Sequence, residues 1–150
     1  MRRAQQGGFT LIELVAVVVL LGIALSVVSL VFSKSMNSAQ IEAASRDLVA
    51  ALRYTRGQAI VHSRQAALDI DLQNKTYQAP GKAIVHLPRQ MRMTLLTAET
   101  EQTGSTSGRI RFFPDGASTG GHISVFMGQR EWRINVSWLT GQVERQEVSR

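Results

Sequence analysis

The run Phe9–Phe32, FTLIELVAVVVLLGIALSVVSLVF, decides how the rest of this chain is read, because Glu13 is its only ionisable side chain. At about 1.5 Å per residue it makes a helix of roughly 36 Å, enough to cross a hydrocarbon core of about 30 Å. A secretory signal peptide would carry a shorter apolar region, about 7 to 15 residues, followed by a small-residue cleavage site, and the run meets neither condition. Arg2 and Arg3 precede the run, with only Lys34 close behind it. That bias predicts a cytoplasmic N-terminus and a translocated C-terminal body. Glu13 sets the kind of span: a carboxylate in hydrocarbon costs about 2.5 to 3.5 kcal/mol on insertion scales and needs a partner or a role. One turn into a helix, it would also favour the positive end of the helix dipole and reach toward the interface.

Beyond Phe32 the apolar pattern narrows to one face. Met36, Ile41, Ala44, Leu48, Ala51, Leu52, Thr55 and Ala59 recur near i, i+3, i+4, with Glu42, Arg46, Asp47, Arg53 and Arg56 between them. The spacing predicts that residues 33–62 continue the helix and lay that face on the body. Unbroken from Phe9 to about His62, the helix would be about 81 Å long. Gly22, Ser26 and Ser29 are small positions that let neighbouring helices approach, and Gly57 is a softer point.

Residues 63–150 read as a β-rich head. Arg64–Leu72 alternates, with Ala66, Leu68, Ile70 and Leu72 on one side, and Asn74-Lys75 turns the chain into Thr76–Ala79. Further strand candidates are Ala83–Leu87, Met91–Leu96, Arg109–Phe113, His122–Met127, Glu131–Leu139 and Gln142–Glu147. Pro80-Gly81, Pro88, Pro114-Asp115-Gly116, Gly120-Gly121, Gly128-Gln129 and Thr140-Gly141 separate them. Trp132 and Trp138 fall in one strand candidate and share a face that would pack on the helix. Ala98–Gly108 lacks strand propensity and is expected to be an exposed, mobile loop. The expected class is α+β: a long helix packed on two or more antiparallel sheets or one curved sheet.

Composition excludes more than it suggests. Seventeen Lys and Arg against eleven Asp and Glu give a formal net charge of +6, and without Arg2 and Arg3 it is +4. That mild excess is scattered and reads first as solvated surface. With no Cys, a disulfide framework is excluded. His62, His86 and His122 are far apart in sequence, and no segment has metal-ligand spacing. Asp115 with Asp69, Asp71 or Glu99 does not match a calcium loop either. Nucleophile elbow, phosphate loop and dinucleotide fingerprint are all missing, so neither an enzyme nor a cofactor is expected.

Gly7-Gly8-Phe9-Thr10-Leu11-Ile12-Glu13-Leu14 resembles the processing signal of type IV pilins and pseudopilins almost letter for letter: a short basic leader, a Gly before the cut, Phe after it, and Glu four residues on. The resemblance implies that residues 1–8 are a leader removed by a prepilin peptidase between Gly8 and Phe9. The new amino group of Phe9 is then N-methylated. It also implies that Glu13 neutralises the amino terminus of a neighbouring subunit on assembly. Residues 9–32 become the transmembrane and polymerisation helix, in a single-pass protein of the bacterial inner membrane with a periplasmic head. Many relatives carry a proline near the position of Leu30, and this chain does not.

The segment Arg53-Tyr54-Thr55-Arg56-Gly57-Gln58-Ala59, together with Ile110-Arg111-Phe112-Phe113-Pro114-Asp115-Gly116 and Ser118-Thr119-Gly120-Gly121, looks like the GspH/FimT group of minor pseudopilins and minor pilins. The leading function implied is a minor pseudopilin of a type II secretion system, at or near the tip of a periplasmic pseudopilus that drives exoprotein export. Its partners would be other minor and major pseudopilins, the prepilin peptidase, the inner-membrane assembly platform and exoprotein substrates. The alternative is a minor pilin of a type IV pilus, active in assembly priming, adhesion or DNA uptake. Gly108-Arg109-Ile110-Arg111 is similar to a string that DNA-uptake members carry near their C-terminal end, which makes Arg109 and Arg111 candidate DNA contacts. Two arginines neutralise only about two phosphates, and a solvated strand face is the plainer reading. A membrane-anchored protein outside any polymer leaves Glu13 without a role.

Overall fold

The computed structural model of the chain describes residues 10–102, 104 and 106–148, and for residues 26–36 the backbone alone. One α-helix, α1 (Leu11–Val61, 51 residues), is followed by eight strands: β1 (Ala66–Asp71), β2 (Thr76–Gln78), β3 (Val85–His86), β4 (Arg92–Leu96), β5 (Ser107–Phe112), β6 (Gly121–Met127), β7 (Arg130–Val136) and β8 (Val143–Val148). The class is α+β, as expected.

Both ends of α1 have a local cause. Thr10 caps the start: its Oγ1 accepts the Glu13 amide at 3.3 Å while its carbonyl accepts the Leu14 amide at 3.2 Å. This satisfies first-turn N–H groups that have no partner within the helix. At the far end the Arg64 amide bonds back to Ala59 O and the Ser63 amide to Ile60 O, both at 3.2 Å, with Ser63 at φ 48. That is the Schellman pattern with serine in the left-handed position that glycine usually fills.

The chain divides between Met36 and Asn37 into two compact units. In the first, the described apolar side chains of α1 are exposed all round, Leu11 at 84% and Leu25 at 67%. Among the described residues no helix is long and apolar enough to cross a membrane. The expected Phe9–Phe32 span depends on Phe9 and on the side chains of residues 26–36, which lie outside them.

In the second unit, two four-stranded antiparallel sheets run β3-β2-β1-β5 and β4-β6-β7-β8. The chain lays down β1 to β3 in the first sheet and crosses to β4. It returns to set β5 against the free side of β1, then completes the second sheet as a β6-β7-β8 meander. Ile41, Leu48, Leu52 and Ala59 of α1 join Leu68, Ile110 and Phe112 of the first sheet and Ile123, Val125 and Ile134 of the second in one buried core. Of the helix face read from the spacing, Ile41, Ala44, Leu48, Leu52, Thr55 and Ala59 are buried and Ala51 is half-buried, Ser45 and Val49 widen it, and the Met36 side chain lies outside the described residues.

Three expectations need correction. The Glu131–Leu139 candidate ends at Val136, because Ser137 O accepts the Gly141 amide at 2.8 Å and Trp138 O accepts the Ser118 amide at 2.9 Å. Trp138 is therefore outside the strand and 69% exposed, whereas Trp132 packs against the core. Of Ala83–Leu87 only Val85–His86 pairs, since β3 is an edge strand opposite a three-residue β2. Within Ala98–Gly108, Glu99–Glu101 form a short 3-10 turn, Glu101 is buried, and Ser107 and Gly108 belong to β5.

Candidate functional site

Glu13, singled out for assembly, lies at the start of α1. Gly8 and Phe9 are outside the described residues. Glu13 occupies the first turn three residues after the capping Thr10. Thr10-x-x-Glu13 is the pattern of a capping box, a signal present in the sequence that the reading of Glu13 passed over. A carboxylate here is favoured by the helix N-terminus. It also heads a helix whose described apolar side chains, Leu11, Ile12, Leu14 and on to Leu25, all face outward. Such a surface is built to be covered by lipid or by other helices.

Arg109 and Arg111 do share a face of β5, and that face carries acids. Arg111 Nε donates to Glu101 Oε1 at 2.8 Å and its Nη2 to Oε2 at 3.2 Å, a two-pronged pair, while Nη1 reaches Gln65 Oε1 at 3.1 Å. Arg109 Nε stands 3.6 Å from Asp69 and 3.9 Å from Glu101. The hydrogen bond to Glu101 holds the Arg111 guanidinium above its ordinary pKa. Both candidate DNA contacts thus face carboxylates of their own fold, which weakens the field they offer a phosphate.

The remaining sequence candidates stay apart. His62 ends α1, His86 lies in β3 and His122 in β6, where burial and then Arg133 hold it below the usual histidine pKa. Asp71 accepts both the Asn74 amide at 2.9 Å and its side-chain NH2 at 2.8 Å, and the backbone bond lowers its pKa most. Asp115 closes its own turn by accepting the Ala117 amide at 3.0 Å. Among the described residues no group of three His, Asp or Glu could hold a metal ion.

What the structure brings together instead is a joint between α1 and two turns. Pro114-Asp115-Gly116 is a tight turn, as its composition predicts, with the Gly116 amide on Phe113 O at 2.9 Å and Gly116 at φ 88. Its carbonyl is the new element: Gly116 O accepts Arg56 Nε at 3.0 Å. Gly141, at φ 61, lies so close that a Cβ there would collide with Gly116 O and come within 2.9 Å of Arg56 Nε. Arg53 Nη2 donates to Val143 O at 3.3 Å. Ser118 Oγ donates to Ser137 O at 2.9 Å and accepts the Gly120 amide at 3.0 Å, so the segment after the turn is tied to the end of β7. Arg53–Ala59 and Ile110–Gly116 therefore meet at the bond between Arg56 and Gly116, and Ser118–Gly121 is tied to the end of β7.

Comparison with known proteins then bears on the whole arrangement. The model of the type II transport protein GspH family matches residues 44–141, and that of the prokaryotic N-terminal methylation motif matches residues 3–29. The chain belongs to the GspH family. The GspH match opens on the buried face of α1 and closes at Gly141, so it takes in Arg56, Gly116 and Gly141 of the joint. The type II secretion system protein H of Xanthomonas campestris pv. campestris is 33% identical over 141 residues, covering 94% of this chain and 83% of that protein. Two solved folds are alike: the minor pseudopilin EpsH of the Vibrio cholerae type 2 secretion system and the type IV minor pilin FimU of Pseudomonas aeruginosa. EpsH has a TM-score of 0.57 at 12% identity over 72% of this chain and 97% of that one. FimU has 0.54 at 15% over 73% and 90%. The expected pilin-like α+β architecture of the GspH group is thus the one present.

Proposed function

We propose that this GspH-family chain works as a minor pseudopilin of a type II secretion system, a structural subunit at or near the tip of a periplasmic pseudopilus. Residues 1–8 are a leader that a prepilin peptidase removes between Gly8 and Phe9, and Phe9 is N-methylated. Residues 9–32 anchor the subunit in the inner membrane, N-terminus in the cytoplasm and head in the periplasm. Its work is assembly and contact with other pseudopilins, the assembly platform and exoproteins. The observation that carries this is the union, in one chain, of an N-terminal methylation motif, a helix start that is apolar all round except at Glu13, and a GspH head. The helix supplies the surface that lipid or neighbouring helices cover. Neutralisation by a neighbour's amino terminus would offset the cost of placing the Glu13 carboxylate in hydrocarbon. Likeness to EpsH and FimU speaks for a fold common to both machines, whereas the Xanthomonas relative favours secretion over a pilus.

The test is to express the full chain with and without its prepilin peptidase and determine the N-terminal residue by intact mass and sequencing. Peptidase-dependent N-methyl-Phe9 is expected; an intact Met1 or a cut elsewhere overturns the proposal. Glu13→Ala should be cut normally yet enter the assembly poorly, and normal incorporation removes Glu13 from the account.

A further inference from the structure

Beside the joint, the exposed side of α1 and the start of β8 enclose an open groove of about 870 Å³. Its charged lining is Arg53, Arg56 and Arg145 against Glu144. A smaller hollow of about 400 Å³ shares Arg53 and Arg145 with it and is lined also by Arg46. Among the described residues, the acceptors that hold the three guanidiniums are neutral. Arg53 is bonded to Val143 O, Arg56 to Gly116 O, and Arg145 Nη1 to Ser45 Oγ at 3.1 Å and Glu42 O at 3.4 Å. Arg145 also lies over the Trp132 ring at 4.2 Å. Of the acids nearby, Glu42 pairs with Arg46 at 3.0 Å, and Glu144, within the lining, accepts the Gln142 side chain at 3.0 Å and leaves the three guanidiniums in excess. The contrast with Arg109 and Arg111, which the fold supplies with carboxylates, is direct.

We propose that this groove binds carboxylate side chains of an acidic segment of a partner protein. A guanidinium held by one or two neutral bonds keeps further N–H donors for a carboxylate, which it takes in a planar, two-pronged fashion. Arg56 is set in place by the turn contact at Gly116 and Gly141 and Arg145 by the Trp132 ring, so these two lose little side-chain freedom on binding, while Arg53 is held by its bond to Val143 O. The groove adjoins α1 and is open along it, which suits an extended peptide better than a compact ligand. The inference stands on the charge of the groove and is independent of the membrane-anchored function proposed above.

The experiment uses the full chain in non-ionic detergent micelles at about 50 mM salt, where exposed charges are only partly screened. Fluorescence anisotropy follows a fluorescein-labelled hexaglutamate peptide, hexaglutamine, and a single-stranded oligonucleotide with six phosphates. Hexaglutamate should bind and hexaglutamine should not. Arg53→Gln should weaken hexaglutamate about tenfold, equivalent to about 1.4 kcal/mol, and Arg53→Lys should recover part of it. Arg64→Gln removes one exposed positive charge away from the groove and should change the affinity less than twofold. Equal losses for Arg53→Gln and Arg64→Gln would mean diffuse attraction to a basic protein and overturn the proposal. So would no binding of hexaglutamate, or an oligonucleotide that binds more tightly and loses its affinity with Arg53→Gln. Arg53 lies on the exposed side of α1, and unchanged thermal unfolding of the variants separates lost binding from lost fold.

Discussion

Glu101 shows how one residue can change the meaning of a segment. It is 6% exposed and faces the Arg111 guanidinium through two bonds, with Arg109 at 3.9 Å. Glu101→Gln keeps the shape and removes the charge, leaving Arg111 partly buried with a weaker acceptor. A charge-assisted hydrogen bond contributes roughly 1.5 to 3 kcal/mol, so the variant should lose about 2 kcal/mol and roughly 8 °C of Tm in thermal unfolding. A shift under a degree would mean that the pair contributes nothing net. Tyr77, 4% exposed, gives a pH test. Burial, and then the negative charge of Asp47, pushes its pKa up to about 12 from 10. The fold therefore favours the neutral phenol. That stabilisation is complete below about pH 10 and is lost as pH rises through 12, amounting to about 2 to 3 kcal/mol for a shift of this size. Urea unfolding across this range should show the fall in the natural chain and a smaller one in Tyr77→Phe; identical profiles would remove Tyr77 as the cause. Neither residue was legible in advance. Glu101 sits in a polar run whose composition reads as loop, and its partner lies ten residues on across a strand that the run itself begins.

At the scale of elements, periodicity carried the reading where one face alone decides burial. The inward positions of α1 and of β1 repeat every 3.6 and every two residues, and Ile41, Leu48, Leu52, Leu68 and Ile70 are buried accordingly. It failed where a strand ends for a reason outside itself. Nothing in Ser137-Trp138-Leu139 marks the stop; Ser118 does, by taking up the carbonyls of Ser137 and Trp138. The joint of Arg56, Gly116 and Gly141 was equally invisible, since its parts are 60 or more residues apart along the chain in the case of the Arg56 bond. Two glycines with the same φ of 61 separate the contact from the conformation. Gly128 has open space around its missing Cβ, whereas at Gly141 that atom would strike Gly116 O. Gly128→Ala should cost about 1 to 2 kcal/mol for the left-handed backbone. Gly141→Ala should cost about 1 kcal/mol more, because it also displaces the carbonyl from Arg56. Equal losses in urea unfolding would show that the turns are not held against the helix.

For the molecule as a whole, the division between Met36 and Asn37 separates two kinds of burial. Every member of the hydrophobic core, from Ile41 to Val143, belongs to the second unit. The described apolar side chains before it are exposed to whatever surrounds α1. The second unit has a core of its own, drawn from α1 and both sheets. A fragment beginning at Asn37 should fold alone, because Asn37 and Ser38 are residue types that cap a helix well and would restart α1 at its new end. The fragment is expected to be monomeric and soluble without detergent, and to unfold in one cooperative transition within about 3 °C of the full chain in micelles. A difference that small corresponds to roughly 1 kcal/mol or less for a domain of this size. The full chain should need detergent or lipid, since the described apolar side chains from Leu11 to Leu25 are exposed. A fragment that unfolds without cooperativity, or melts far lower, would mean that residues before Asn37 hold the head together. The division of labour between a self-sufficient head and a helix that awaits lipid or neighbouring subunits would then have to be abandoned.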